Sequence, residues 1–350
     1  MSFKQIFTNP LFCIPPEIAH KITIFALKNN FIPVKKVDIP RSLNIRAFNK
    51  IIKSPIGVAA GFDKNAEVIQ PLLANGFGFV EVGTITKYPQ RGNKKPRIHR
   101  LINKEALINS LGFNNKGVDF LIKKVDNIEL NHCIFGINIG FNKKSKNPIQ
   151  DYFDLVQKVY GLSNYITLNI SSPNTPGLHE FQKKDLLLEL LTAISQVRKS
   201  ADYAESIPIM LKISPDINDN KKQDIVDLAL QYKISGLIIS NTSLQHKTLL
   251  NTDINIRGGL SGKPLFDLST QVLSEIYQVS QGKLLLIGCG GVSSGYHAYE
   301  KIKAGASLIQ LYTAIVYNGF NIANKISLEL AELLAADGFT KVSDAIGCNH

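Results

Sequence analysis

Residues 284–313, "LLLIGCGGVSSGYHAYEKIKAGASLIQLYT", decide the fold. An apolar run (284–289) gives way to a glycine-bearing polar turn, then to an amphipathic helical pattern over 293–304, then to a second apolar run (308–313). Near-continuous apolar runs of this length read as strands covered on both faces, as in a parallel sheet, and a helix is the usual crossover between parallel strands. The same unit recurs upstream. Further strands are expected at 56–61, 79–84, 134–140, 165–170, 207–213 and 236–241, with helices near 64–75, 114–128, 150–162, 180–200, 218–232, 266–281 and 320–336. Eight such units in one chain are the count of a TIM barrel. The expected fold is therefore an α/β (β/α)8 barrel over residues 41–350, with a small helical extension over residues 1–40.

The totals set wide bounds. A chain of 350 residues with 44% hydrophobic and 19% charged residues is ordinary for one large globular domain. No segment approaches the ~20 consecutive apolar residues of a membrane-spanning helix, and the N-terminal stretch lacks the pattern of a signal or transit peptide. Cys13, Cys133, Cys289 and Cys348 stand far apart with no C-x-x-C pair, which argues against a disulfide framework, a structural zinc site or an iron–sulfur cluster; no metal site is expected. The net charge of +12 favours anionic partners in general, and the densest basic stretch, "KYPQRGNKKPRIHR" (87–100), is equally compatible with a solvated surface.

Polar groups recur where the strands end. Lys64 follows the first strand, Thr84 closes the second, Asn138 lies in the third and Asn169 in the fourth, which runs into "NISSPNTPG" (169–177). Lys212 lies in the fifth, Asn241 and Thr242 follow the sixth, "GCGG" ends the seventh, and Tyr312 and Thr313 end the eighth. Catalytic groups of TIM barrels gather at this end. A lysine in an apolar strand is costly without an anionic partner, so Lys64 and Lys212 point to a shared anionic or electron-rich ligand. Alone, "NISSPNTPG" is a turn by composition; its place makes it a candidate site loop. The glycines of "GCGGVSSG" (288–295) ahead of a helix suit a phosphate, but not with Rossmann spacing; a barrel-bound mononucleotide such as FMN fits better. Asn109, Asn174 and Asn241 offer paired donors and acceptors to a ring rich in N–H and C=O, such as a pyrimidine. His99, His246 and His297 are expected to be structural or surface residues, and Asp63 to cap the helix after it.

The motifs "AAGFDKN", "VEVGT", "INSLGFNN", "INIG", "NISSPNTPGL", "LKISPD", "ISNT", "GGLSGKPL", "GCGGVSSG", "IQLYTA" and "GFTKVSDAIG", in this order over nearly the whole chain, resemble the quinone-dependent class 2 of the dihydroorotate dehydrogenase family. The resemblance implies an FMN barrel that oxidises dihydroorotate to orotate in pyrimidine synthesis. It implies Ser172 as the catalytic base, and a substrate site of Lys64, Asn109, Ser110, Leu111, Gly112, Phe113, Asn169, Asn174, Asn241 and Thr242. For FMN it implies Ala60, Gly61, Phe62, Asp63, Lys64, Thr84, Asn138, Asn169, Lys212, Ser240, Gly262, Gly290, Gly291, Tyr312 and Thr313. Two positions depart from the family pattern: Ser110 stands where many members carry arginine, and Cys289 where valine is frequent.

For residues 1–40 the resemblance implies a helical segment that dips into the membrane surface and opens a path from lipid to FMN. Ile18, Ile22, Phe25 and Ala26 share a helical face, with Lys21 and Lys28 on the rest. His20, Arg100 and Tyr312 match the family's quinone end. The expected partners are dihydroorotate or orotate, a membrane quinone and peripheral lipid, with no nucleic acid. The expected form is a monomer on the cytoplasmic side of a bacterial-type inner membrane. A tRNA dihydrouridine synthase would also explain the charge, but that family uses an active-site cysteine and a further C-terminal RNA-binding domain.

Overall fold

The computed structural model describes residues 10–131, 133–200, 207–252 and 254–350; the first nine residues of the expected 1–40 extension lie outside them. Eight short strands form the barrel: β1 Ile56–Val58, β2 Phe79–Ile85, β3 Phe135–Ile139, β4 Tyr165–Asn169, β5 Ile209–Ile213, β6 Gly236–Ile239, β7 Leu285–Cys289 and β8 Leu308–Leu311. Every neighbour pair is parallel, and β8 closes on β1 through Ile309 opposite Ile56. Their branched apolar side chains are almost wholly buried, as expected of strands with helices outside and packed side chains inside. The outer helices are α1 Ile69–Ala74, α2 Val118–Val125, α3 Pro148–Val159, α4 Lys184–Ser200, α5 Asp219–Gln231, α6 Phe266–Ser280, α7 Gly295–Lys303 and α8 Ile322–Ala336.

All eight units fall where the apolar periodicity puts them, with most elements shorter and β2 one residue longer. Helix α1 is the clearest case. Asp63 does not cap it; its carboxylate accepts from the backbone N–H of Glu67 (2.9 Å) and Val68 (2.7 Å), closing a turn that delays the helix to Ile69.

Two small sheets lie outside the eight units. A hairpin, Ile45–Ala47 with Lys50–Ile52, places Phe48 at its turn against the start of β4, stacked on Tyr165 with ring centroids 4.0 Å apart. This plugs the N-terminal end of the barrel. At the opposite end, Ile98–Leu101, Ala106–Asn109 and Gly259–Gly262 form a three-stranded antiparallel sheet. It adds a wall above the strand ends. The N-terminal helix, Pro16–Lys28, lies at this same end, beside the sheet and α1.

Candidate active site

The C-terminal ends of the strands surround a cavity with about 1160 Å³ of empty space. Parallel register sets its floor. Asn169 of β4 stands opposite Lys212 of β5, and Gly83 of β2 opposite Asn138 of β3. The amides are interlocked. Asn169 Nδ2 donates to Thr84 Oγ1 (3.0 Å), while its Oδ1 accepts from Asn241 Nδ2 (3.3 Å); Asn241 also donates to Ser171 Oγ (3.0 Å). A side chain held on both sides cannot turn, so each remaining donor and acceptor keeps a fixed aim.

The loop 169–177 is part of this wall. Tyr152 OH donates to the Asn169 carbonyl (2.6 Å), fixing the loop's root. Asn174 Nδ2 donates to the Asn109 carbonyl (3.0 Å), and Asn93 Nδ2 reaches the Asn174 carbonyl (3.2 Å), tying the tip to the added sheet and its flanking loop. Between these anchors Ser172 is 7% exposed and lines the cavity. Its Oγ accepts only a long bond from the Asn174 N–H (3.4 Å); among the described residues no carboxylate or imidazole hydrogen-bonds to it.

Two lysines enter the same space. Lys64 Nζ donates to the Gly61 carbonyl (2.7 Å), and burial, then the Arg97 charge, push its pKa down to about 8. Lys212 is 4% exposed and forms no ion pair among the described residues. Two buried polar atoms of the wall also lack partners: Thr242 Oγ1 and Gln310 Oε1. Buried polar atoms are almost always hydrogen-bonded, so these mark a surface shaped for a polar ligand.

The glycine end differs in kind. Gly262, Gly290 and Gly291 have φ of +99°, +116° and +75°, a region that favours glycine. A Cβ on Gly291 would stand 2.5 Å from the Cα of Phe266, so the turn packs directly on the start of α6. The N–H groups of Gly291 and Val292 donate to no carbonyl among the described residues, while that of Gly290 turns to the Cys289 sulfur, which leaves donors beside the turn for an anion.

A second cavity, with about 1830 Å³ of empty space, lies under the N-terminal helix. His20, Arg100 and Tyr312 meet there as expected. Burial and the Lys64 charge hold the His20 pKa down at about 3, so its imidazole is neutral at physiological pH, edge-on to Phe62. Arg100 Nη1 donates to the Ile14 carbonyl (2.9 Å), while its buried Nε has no partner. Lys64, Leu111 and Tyr312 line both cavities and form the partition between them.

A family model for dihydroorotate dehydrogenase matches residues 42–334. The chain belongs to the dihydroorotate dehydrogenase family. It is 45% identical over 335 residues to a dihydroorotate dehydrogenase (quinone) of Parvibaculum lavamentivorans, covering 95% of each chain. It is 41% identical to the mitochondrial dihydroorotate dehydrogenase (quinone) of Oryza sativa subsp. japonica, covering 97% of this chain and 79% of that one. A ligand-free crystal structure of DHODH from Eimeria tenella superposes with a TM-score of 0.91 at 36% identity, over 96% of this chain and 99% of that one. These relatives place the chain in the quinone-dependent class, whose reaction is the oxidation of dihydroorotate with a quinone as acceptor; the family is flavin-dependent.

Most residues expected at the dihydroorotate dehydrogenase site line the central cavity; four do not. Phe62 and Asp63 face the second cavity, because the Asp63 carboxylate is taken up by its own turn. Asn138 lies behind the wall, donating to Glu81 (2.8 Å) and accepting from Thr84 (2.6 Å). Ser110 faces an outer groove beside Lys143 and Arg257. Conversely, Gln310, Ser261 and Lys263 join the wall without having been singled out. Beneath them Glu81, fully buried in β2, accepts from Asn138, Tyr165, Thr167 and Gln310.

Proposed function

We propose that the flavin is FMN and that the two cavities divide the reaction. The observation that carries this reading is one cavity with opposed ends: a glycine cradle at β7 and β8, and a cluster of fixed amides with Ser172 and Lys64 near β1, β4 and β6. The residues fit FMN on their chemistry. Gly262, Gly290, Gly291 and Thr313 would hold the phosphate, Ala60, Gly61, Thr84 and Ser240 would line the rings, and Lys212 would stand where negative charge develops on reduction. Bound there, FMN would supply a two-electron acceptor for the hydride from C6 of dihydroorotate, to be reoxidised by the quinone.

The chain's own residues do the rest. Asn109, Asn169, Asn174 and Asn241 bind the edges of the substrate ring, and the Lys64 ammonium holds its carboxylate. Ser172 Oγ takes the proton from C5, within a loop anchored at root and tip. The second cavity receives the quinone: neutral His20 and apolar walls suit its ring, and the unpartnered Arg100 Nε suits a carbonyl oxygen. Ile18, Ile22 and Phe25 of the N-terminal helix are 51%, 46% and 60% exposed, which supports contact with the lipid that holds the quinone. Residues 1–40 thus act as the access segment and 41–350 as the catalytic barrel. No helix among the described residues is long and apolar enough to cross a membrane; the position proposed is peripheral, on the cytoplasmic face of an inner membrane.

The test is spectroscopic. Purified protein should carry FMN, bleach with dihydroorotate without a nicotinamide cofactor, and regain colour with a lipophilic quinone. Folded protein without flavin, or bleaching by NADH alone, would overturn the reading.

A further inference from the structure

Behind the glycine cradle lies a charge that the reaction above does not use. Lys301 of α7 is fully buried, and among the described residues no carboxylate comes within ion-pair distance of its Nζ. Instead Nζ donates to Ser269 Oγ (2.8 Å) and Thr270 Oγ1 (3.0 Å) on α6, and lies 5.2 Å from the centroid of the Phe266 ring. Ser269 Oγ in turn lies 3.0 Å from the Gly290 carbonyl, in reach as its donor. The ammonium is therefore two hydrogen bonds from the turn whose N–H groups face the cavity. Its charge also acts on Cys289, a wall residue. The barrel makes room for it: a Cβ on Gly288 of β7 would stand 3.0 Å from Lys301 Cδ.

An unpaired buried ammonium destabilises the fold, and a methionine would fill the space without that cost. Pinning α6 to the glycine turn gives no reason for a full positive charge. A phosphate in the cradle does, because the charge then has its counter-ion across one layer of backbone.

We propose that Lys301 is a buried positioning charge for the phosphate end of the flavin, acting through Ser269 and the Gly290–Gly291 turn and setting the preference for a phosphorylated flavin over its nucleoside. The inference rests on the FMN reading and adds to it a residue outside the wall. Burial pushes the lysine's pKa down to about 7, so the free protein holds this charge weakly and an anion in the cradle would restore it.

The experiment is an exchange equilibrium read by chromatography of the bound flavin, with no activity measurement. Holoenzyme is incubated with FMN and riboflavin together. Wild-type protein should hold FMN in strong preference. Lys301→Met should lower that preference by about tenfold, the scale of one partly screened charge at several ångströms. Should Lys301→Met not fold, Lys301→Gln keeps N–H donors for both hydroxyls and removes only the charge; it should show the same loss. Unchanged preference in a folded variant, with both flavins weakened equally or not at all, makes Lys301 a packing residue and overturns the inference alone. Wild-type protein that holds neither flavin overturns the FMN reading and this inference with it.

Discussion

The two cavities are built by opposite means. The central one is walled by strand ends whose side chains are locked in a continuous network from Glu81 through Asn138, Thr84 and Asn169 to Asn241 and Ser171. The second is roofed by a helix that buries only Ala19 and Leu27, and it gains its firmest anchor from one bidentate pair, Glu17 to Arg97 (2.7 and 3.2 Å). Proton and hydride transfer tolerate little misplacement, so the first site needs rigid walls. A quinone reached through the second cavity, as proposed, would need an open, apolar approach instead. Both cavities open at one barrel end and meet at Lys64, Leu111 and Tyr312.

The separation is sharpest at Ser172. Replacing it with alanine should slow bleaching by dihydroorotate roughly a hundredfold or more, the scale of a lost general base, and leave reoxidation by quinone unchanged in stopped-flow traces. Equal slowing of both half-reactions would show that the cavities are not independent. Arg100→Ala attacks the other side. It removes the unpartnered Nε and the anchors of the Phe12 and Ile14 carbonyls. The KM for quinone should rise about tenfold, the worth of a charge-assisted hydrogen bond, with bleaching by dihydroorotate intact. A loss confined to bleaching would place the quinone elsewhere.

The same contrast explains what the sequence made legible. Barrel strands announce themselves as uninterrupted apolar runs, and side chains at their ends inherit their positions from the register, so Asn169 and Lys212 are legible from the sequence, and Lys64 as the residue just past the first strand; Ser172 is singled out by the family resemblance. Phe62 and Asp63 are not legible in this way, because a carboxylate that closes its own turn looks like a cap; this is why they fall on the far side of the partition. The added sheet was missed because its strands are only four residues each and one of its two pairings spans about 150 residues of chain. Glu81 carried a readable signal. It is a lone acid in an apolar strand, and the reasoning applied to Lys212 would have found it.

The smallest expected effect lies on the partition itself. Lys64 is held near pKa 8 by burial and by the Arg97 charge, well below the ordinary lysine value of 10.5. In the proposed role only its charged form attracts the substrate carboxylate, and that form dominates below pH 8 and declines above it. The sign follows: the KM for dihydroorotate should be flat up to about pH 7 and rise with further increase, by about fourfold at pH 8.5 from the titration curve of such a group. Binding above pH 8 should take up a proton, because the carboxylate draws the lysine back toward its ordinary pKa. Lys64→Met should give a KM that is high at all pH values and no longer rises in this range. The quinone KM of the wild type should stay level over the same range, since His20 is already neutral and an arginine keeps its charge. A quinone KM that climbs in parallel would mean that Lys64 serves both cavities at once, and that the partition is a shared site rather than a wall.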